Sequence, residues 1–158
     1  MNIVLKKITI SDSKSPYNGL VKDVFISNGI VAKIDDNIIV EADKIVSGEN
    51  QILSPGWVDI FSNFCDPGYE FKETLNSGAA TALAGGYTSV FTLPNTNPVV
   101  ATKSQVEYIV NANQHLPINI YPLGAITKNI EGKELAEMYD MQNSGAIAFT
   151  DGLKPVQN

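Results

Sequence analysis

The sequence predicts an α/β fold, in which a short all-β segment precedes parallel strands that alternate with helices. Three observations predict it. From Met1 to about Gln51 the chain is a series of β-branched runs broken by turn residues, and after Pro55-Gly56 the periodicity changes. Beyond that point four strand-like runs, Trp57–Phe61, Tyr87–Leu93, Ile118–Ile126 and Gly145–Thr150, alternate with helix-like stretches, as in βαβ units whose helices cover a parallel sheet. Third, 158 residues hold only four such units, whereas a closed eight-stranded (β/α)8 barrel takes about 250 residues, so the chain is at most half of one. Four parallel strands alone expose two edges and a broad apolar face. The expectation is a fragment, or a chain completed by another polypeptide, divided into a β-rich segment at 1–54 and the first four β/α units of an incomplete barrel at 55–158.

In the first segment the expected strands are Ile3–Ile10, Val21–Ser27 and Ile30–Ile34, with weaker ones at Asn37–Glu41 and Lys44–Ser47. Asn28-Gly29 between two apolar runs is a two-residue hairpin signal. This segment holds no cluster of His, Cys or paired carboxylates and reads as a structural module. In the second, Lys72–Ala84 places Leu75, Ala79, Ala82 and Leu83 on one helical face, and Gly85-Gly86 stops the helix. That glycine pair follows a helix and precedes a strand, the reverse of a phosphate loop. Thr102 and Gln105 have capping-box spacing for a helix with Val106, Ile109 and Val110 on its apolar side. A third helix is expected over about Gly132–Gln142, carrying Leu135, Met138 and Tyr139, with Gly145 after its end.

Composition excludes several classes. The formal charge is −6, with acidic residues spread along the chain, so the basic face that nucleic acid or an anionic membrane requires is not expected. No apolar run approaches the roughly 20 residues that span a bilayer. A single cysteine, Cys65, rules out an internal disulfide, and the first residues lack the pattern of a secretory signal; both fit a cytoplasmic address.

Chemistry on a parallel barrel sits at the C-terminal ends of its strands. The first strand runs through Asp59, Phe61 and Asn63, which alternation puts on one side, and continues into Cys65 and Asp66-Pro67-Gly68. The later strands end in Leu93-Pro94-Asn95-Thr96, Thr127-Lys128-Asn129 and Thr150-Asp151. The only histidine, His115, precedes Pro117 and so belongs at the entry to the third strand, on the face opposite the site.

The run Asp59 to Gly68, followed by Lys72-Glu73, Ser77-Gly78, Gly85-Gly86-Tyr87-Thr88 and Leu93-Pro94-Asn95-Thr96, resembles the dihydroorotases of the amidohydrolase superfamily, specifically the long type found in multifunctional pyrimidine enzymes. The resemblance extends from about Ile45 to the end. It implies a TIM-type metal-dependent hydrolase barrel, with Met1 to Gln51 forming part of a small β-sandwich. It also implies zinc-dependent hydrolysis of the cyclic amide of dihydroorotate, in pyrimidine biosynthesis.

The family's first strand reads Asp-x-His-x-His-x-Arg-Asp-Pro-Gly, in which the histidines bind zinc and the arginine holds the substrate carboxylate. Here the framework residues Asp59, Asp66, Pro67 and Gly68 remain. Phe61 and Asn63 stand at the histidine positions and Cys65 at the arginine position. A phenyl ring offers a metal no lone pair, a neutral amide oxygen is a poor zinc ligand, and a thiol cannot replace a bidentate guanidinium. Asp151 matches a metal-bridging aspartate and Asn95 a substrate-binding residue of the family. Asp151 could equally bind backbone amides, and Asn95 could stabilise its own turn. The expectation is therefore a homologue without metal and without hydrolase activity, a pseudoenzyme that acts as a structural partner of another pyrimidine enzyme such as aspartate transcarbamoylase, or in a homo-oligomer. The alternative is an active cyclic amidohydrolase whose altered metal site is completed by sequence beyond residue 158.

Overall fold

A computed structural model, which describes residues 1–156, places a two-residue turn at Asn28-Gly29 with both φ angles positive, 51° and 81°. That is the backbone a tight hairpin needs, and asparagine and glycine accept it most readily. The turn joins β2 (Val21–Ser27) to β3 (Ile30–Asp35), and β2 also pairs antiparallel with β1 (Asn2–Ile10). On the other edge of β1 lie two short parallel strands, β4 (Lys44–Ser47) and β5 (Ile52–Leu53). The result is a single mixed sheet within the compact unit Met1–Pro55. Ile8, Ile10 and Val24 form its core.

The strand expected at Asn37–Glu41 is not formed. The backbone groups a ladder would use there go elsewhere: the Ile38 amide donates to Asp23 (3.0 Å) and its carbonyl accepts from the Lys6 ammonium (2.6 Å). Asp23 is 2% exposed and accepts also from Lys6 Nζ (2.6 Å) and the Lys7 amide (2.9 Å). Burial pushes its carboxyl up, but Lys6 and the amides of Ile38 and Lys7 outweigh that and hold it below the ordinary value.

The second compact unit, Gly56–Asn158, is built on β6 (Trp57–Ser62), β7 (Tyr87–Thr92), β8 (Asn119–Gly124) and β9 (Ala148–Phe149), all parallel in the order β6-β7-β8-β9. α1 (Leu75–Ala84) and α2 (Lys103–Asn113) connect the first three strands. α1 begins later than Lys72 because Thr74 caps it, its hydroxyl accepting from the Ser77 amide and its own amide donating to Ser77 Oγ, each at 3.1 Å. At α2 the Gln105 carboxamide accepts the Thr102 amide at 2.9 Å. Leu75, Ala79, Val106 and Ile109 pack on Val90 and Ile120 of the sheet. Alternation turns the Phe91 and Tyr121 rings, an edge-to-face pair 5.4 Å apart, to the other side. Leu83 departs from the expected face and is half exposed.

The third helix is shorter than its apolar pattern predicts. α3 spans Met138–Asn143, preceded by a 3₁₀ turn at Lys128–Ile130. The intervening chain doubles back on the end of β8, where Lys128 N–H donates to Glu134 O (2.7 Å) and Ala136 N–H to Ile126 O (2.9 Å). Leu135 and Tyr139 consequently face solvent, and Met141 takes the core position. β9 is likewise reduced from the expected Gly145–Thr150 to two residues.

Candidate functional site at the strand ends

β6 does not keep strict alternation. Asp59 lies opposite Val90 and Ser62 opposite Thr92, so the segment Asp59–Ser62 carries one residue more than its partner and bulges. The cause is local: the Asp59 carboxylate accepts the Phe61 amide (2.9 Å) and the Ser62 hydroxyl (2.5 Å), curling the strand around itself. The expectation that Asp59, Phe61 and Asn63 share one line is corrected accordingly. Asp59 lines a cleft against α1 with Ser62, Phe64 and Glu73, whereas Phe61 lines a second cleft at the C-terminal ends of the strands. Asn63 borders both.

The loop after β6 is fastened by its Asp-Pro-Gly sequence. Asp66 is buried, and its carboxylate accepts the Leu75 amide at the start of α1 (2.9 Å) and the Tyr108 hydroxyl of α2 (2.8 Å). That hydrogen bond, and burial after it, push the Tyr108 hydroxyl up to about 12. The Pro67 carbonyl accepts the Asn97 amide at 3.0 Å. Gly68 has φ +95°, and a Cβ there would lie 1.8 Å from the Asn97 carbonyl oxygen. Only glycine fits, and the close approach sets the loop that carries Asn95 and Thr96. Cys65 is partly exposed, at φ 62°, with its amide on the Asn63 carboxamide oxygen (3.3 Å). It is not among the residues that line the strand-end cleft.

That cleft has a volume of about 360 Å³. Leu93 and Ile130, both buried, contribute to its apolar surface along with Phe61, Tyr69 and Val99. Its polar lining is Asn63, Asn95, Thr96, Asn129, Asp151 and Lys154. The fold therefore brings together Phe61, Asn63, Asn95 and Asp151, which lie far apart in sequence. Tyr69, Val99, Ile130 and Lys154 escaped the sequence reading because they sit in loops without periodicity. His115 stands in the turn between α2 and β8, at the opposite end of the strands.

Asp151 is 4% exposed. One oxygen accepts the amides of Ile126 and Thr127, each at 2.9 Å, and the other accepts the Thr127 hydroxyl at 2.5 Å. These residues do not fit a zinc ion: Phe61 has no donor atom, Asn63 offers a neutral oxygen already turned to Cys65, and the Asp151 oxygens are engaged by the chain. Among the described residues no three His, Cys, Asp or Glu side chains converge on a point where a metal could sit. No helix among the described residues is long and apolar enough to cross a membrane.

Comparison with known proteins agrees with this architecture. The chain is 37% identical to a dihydroorotase of Acetivibrio thermocellus over 157 residues, covering 99% of this chain and 37% of that protein. It is 38% identical to a dihydroorotase of Aquifex aeolicus over 159 residues, covering 100% of this chain and 37% of that one. Among solved structures it is similar to the L-hydantoinase (dihydropyrimidinase) of Arthrobacter aurescens, with a TM-score of 0.71 and 24% identity over 93% of this chain and 32% of that one. It also resembles a D-hydantoinase, with a TM-score of 0.67 and 18% identity, over 95% of this chain and 40% of that one. These likenesses support a partial α/β barrel, and the chain spans a little over a third of the length of these dihydroorotases. Residues 50–158 match the family model described as dihydro-orotase-like, and the chain belongs to that family.

Proposed function

We propose that this chain is a non-hydrolytic member of the dihydroorotase-like family, keeping the barrel framework without the metal chemistry. The observation that carries the reading is the set of residues at the three zinc positions: Phe61 has no donor atom, Asn63 offers only a neutral amide, and Asp151 already accepts two amides and a hydroxyl from the chain. Its role would be structural, the strand-bearing half of a barrel docked to another pyrimidine-synthesising enzyme such as aspartate transcarbamoylase or to a further copy, with the Met1–Pro55 sheet contributing one layer of a sandwich.

The test is dihydroorotate turnover by the full-length protein with added zinc. No turnover above background is expected, whereas turnover that a chelator abolishes would sink the proposal. One observation favours a second reading. The cleft is open, with Asn95 and Lys154 on its lining, as an active cyclic amidohydrolase completed by residues outside this chain would require. The same assay decides between them.

A further inference from the structure

We propose that the strand-end cleft is organised by a carboxylate clasp centred on Asp151, which does the ordering that a metal centre would do elsewhere, so that zinc neither binds there nor adds to stability. The proposal rests on the reading above in one respect, that Asp151 is withheld from metal chemistry.

The clasp holds a strained turn. Asn129 and Ile130 follow one another with φ of 54° and 55°. Asparagine tolerates that region, but a β-branched isoleucine is an outlier there and persists only where its surroundings fix it. Fixing comes from both sides. Upstream, Asp151 takes the amides of Ile126 and Thr127. The Thr127 hydroxyl then donates to Asp151 and accepts the Gly132 amide at 2.8 Å, reaching across the strained pair. Downstream, the Lys128 amide donates to the Glu134 carbonyl at 2.7 Å. Thr127 is 1% exposed, so water does not compete for these bonds. The turn so held puts Ile130 into the lining of the cleft.

Clasp and metal exclude one another. A cation at the second oxygen would displace the Thr127 hydroxyl, whose bonds to Asp151 and to the Gly132 amide reach across the strained pair, and the turn would lose that support.

The experiment combines zinc content after incubation and desalting, thermal unfolding with zinc or chelator, and amide exchange over residues 126–132. The wild-type chain is expected to retain less than about 0.1 zinc per molecule, with an unfolding midpoint that neither zinc nor chelator moves by more than about 1 °C. Asp151→Ala is expected to speed exchange at Ile126, Thr127 and Gly132 by about a hundredfold, and Asp151→Asn, which keeps an acceptor for the amides, by about tenfold at Gly132. Roughly one zinc per molecule, a midpoint lowered by chelator, or unchanged exchange in Asp151→Ala would overturn the clasp. Should Asp151→Ala fail to fold, zinc content and zinc-insensitive exchange of the wild type still decide. Dihydroorotate turnover without bound zinc would defeat the proposed function and leave the clasp standing; stoichiometric zinc without turnover would do the reverse.

Discussion

In the Met1–Pro55 sheet the buried carboxylate Asp23 sits against the Lys6 ammonium as well as two amides. The buried carboxylates of the second unit, Asp66 and Asp151, take only amide and hydroxyl donors. The difference separates two uses of a buried charge. Asp23 is neutralised by a cation from the neighbouring strand, while Asp66 and Asp151 tie together segments remote in sequence: residue 66 to 75 and 108, residue 151 to 126 and 127. At the strand ends, Asp151 holds two amides and a hydroxyl of the segment that follows β8.

Substitutions can break or sharpen that comparison. The largest effect is expected for Asp23→Ala, which leaves the Lys7 and Ile38 amides without their acceptor and Lys6 without its counter-ion, and should cost about 3 to 4 kcal/mol in urea unfolding; a smaller loss than for Asp151→Ala would invert the ranking of the two centres. Gly68→Ala should cost about 3 kcal/mol, since a Cβ would press on the Asn97 carbonyl and the φ is unfavourable. Asp151→Asn should cost about 2 kcal/mol by weakening a buried charged hydrogen bond.

Smaller effects follow from pH. The Asp23 carboxyl is held below its ordinary 3.8, so its stabilisation is complete above that value and fades as pH falls through the lower folded value. Replacing its cation in Lys6→Met should move acid unfolding to higher pH, as read by circular dichroism. Tyr108→Phe, at a partly exposed position, should cost only about 1 kcal/mol. With the Tyr108 hydroxyl raised from 10.0 to about 12, its contribution is present below pH 10 and disappears between pH 10 and 12. The phenylalanine variant should lack that alkaline loss; an identical alkaline profile would remove the Asp66–Tyr108 bond from the account.

Much of the fold was legible. The Asn28-Gly29 turn, the strands starting at Trp57 and Tyr87, and the caps at Gln105 and Gly85-Gly86 follow from local stereochemistry, which a few neighbouring residues fix. The misses share a cause. Asn37–Glu41 and Gly132–Gln142 carry the right residues for a strand and a helix, but their backbone groups find partners remote in sequence or in a reversing loop. Leu135 belongs to an apolar face only if the helix forms; without the helix it points to water.

The candidate site divides in the same way. Phe61, Asn63 and Cys65 are chemical identities, and the sequence alone determines that the first strand offers no imidazole and no guanidinium. Which residues face the cleft was decided by tertiary structure. The bulge after Asp59 reverses its side relative to Phe61, and Asp151 holds the Ile126 and Thr127 amides only because the chain after β8 arrives beside it. Side-chain type is a property of one position, while the engagement of a carboxylate depends on which donors the folded chain brings within 3 Å.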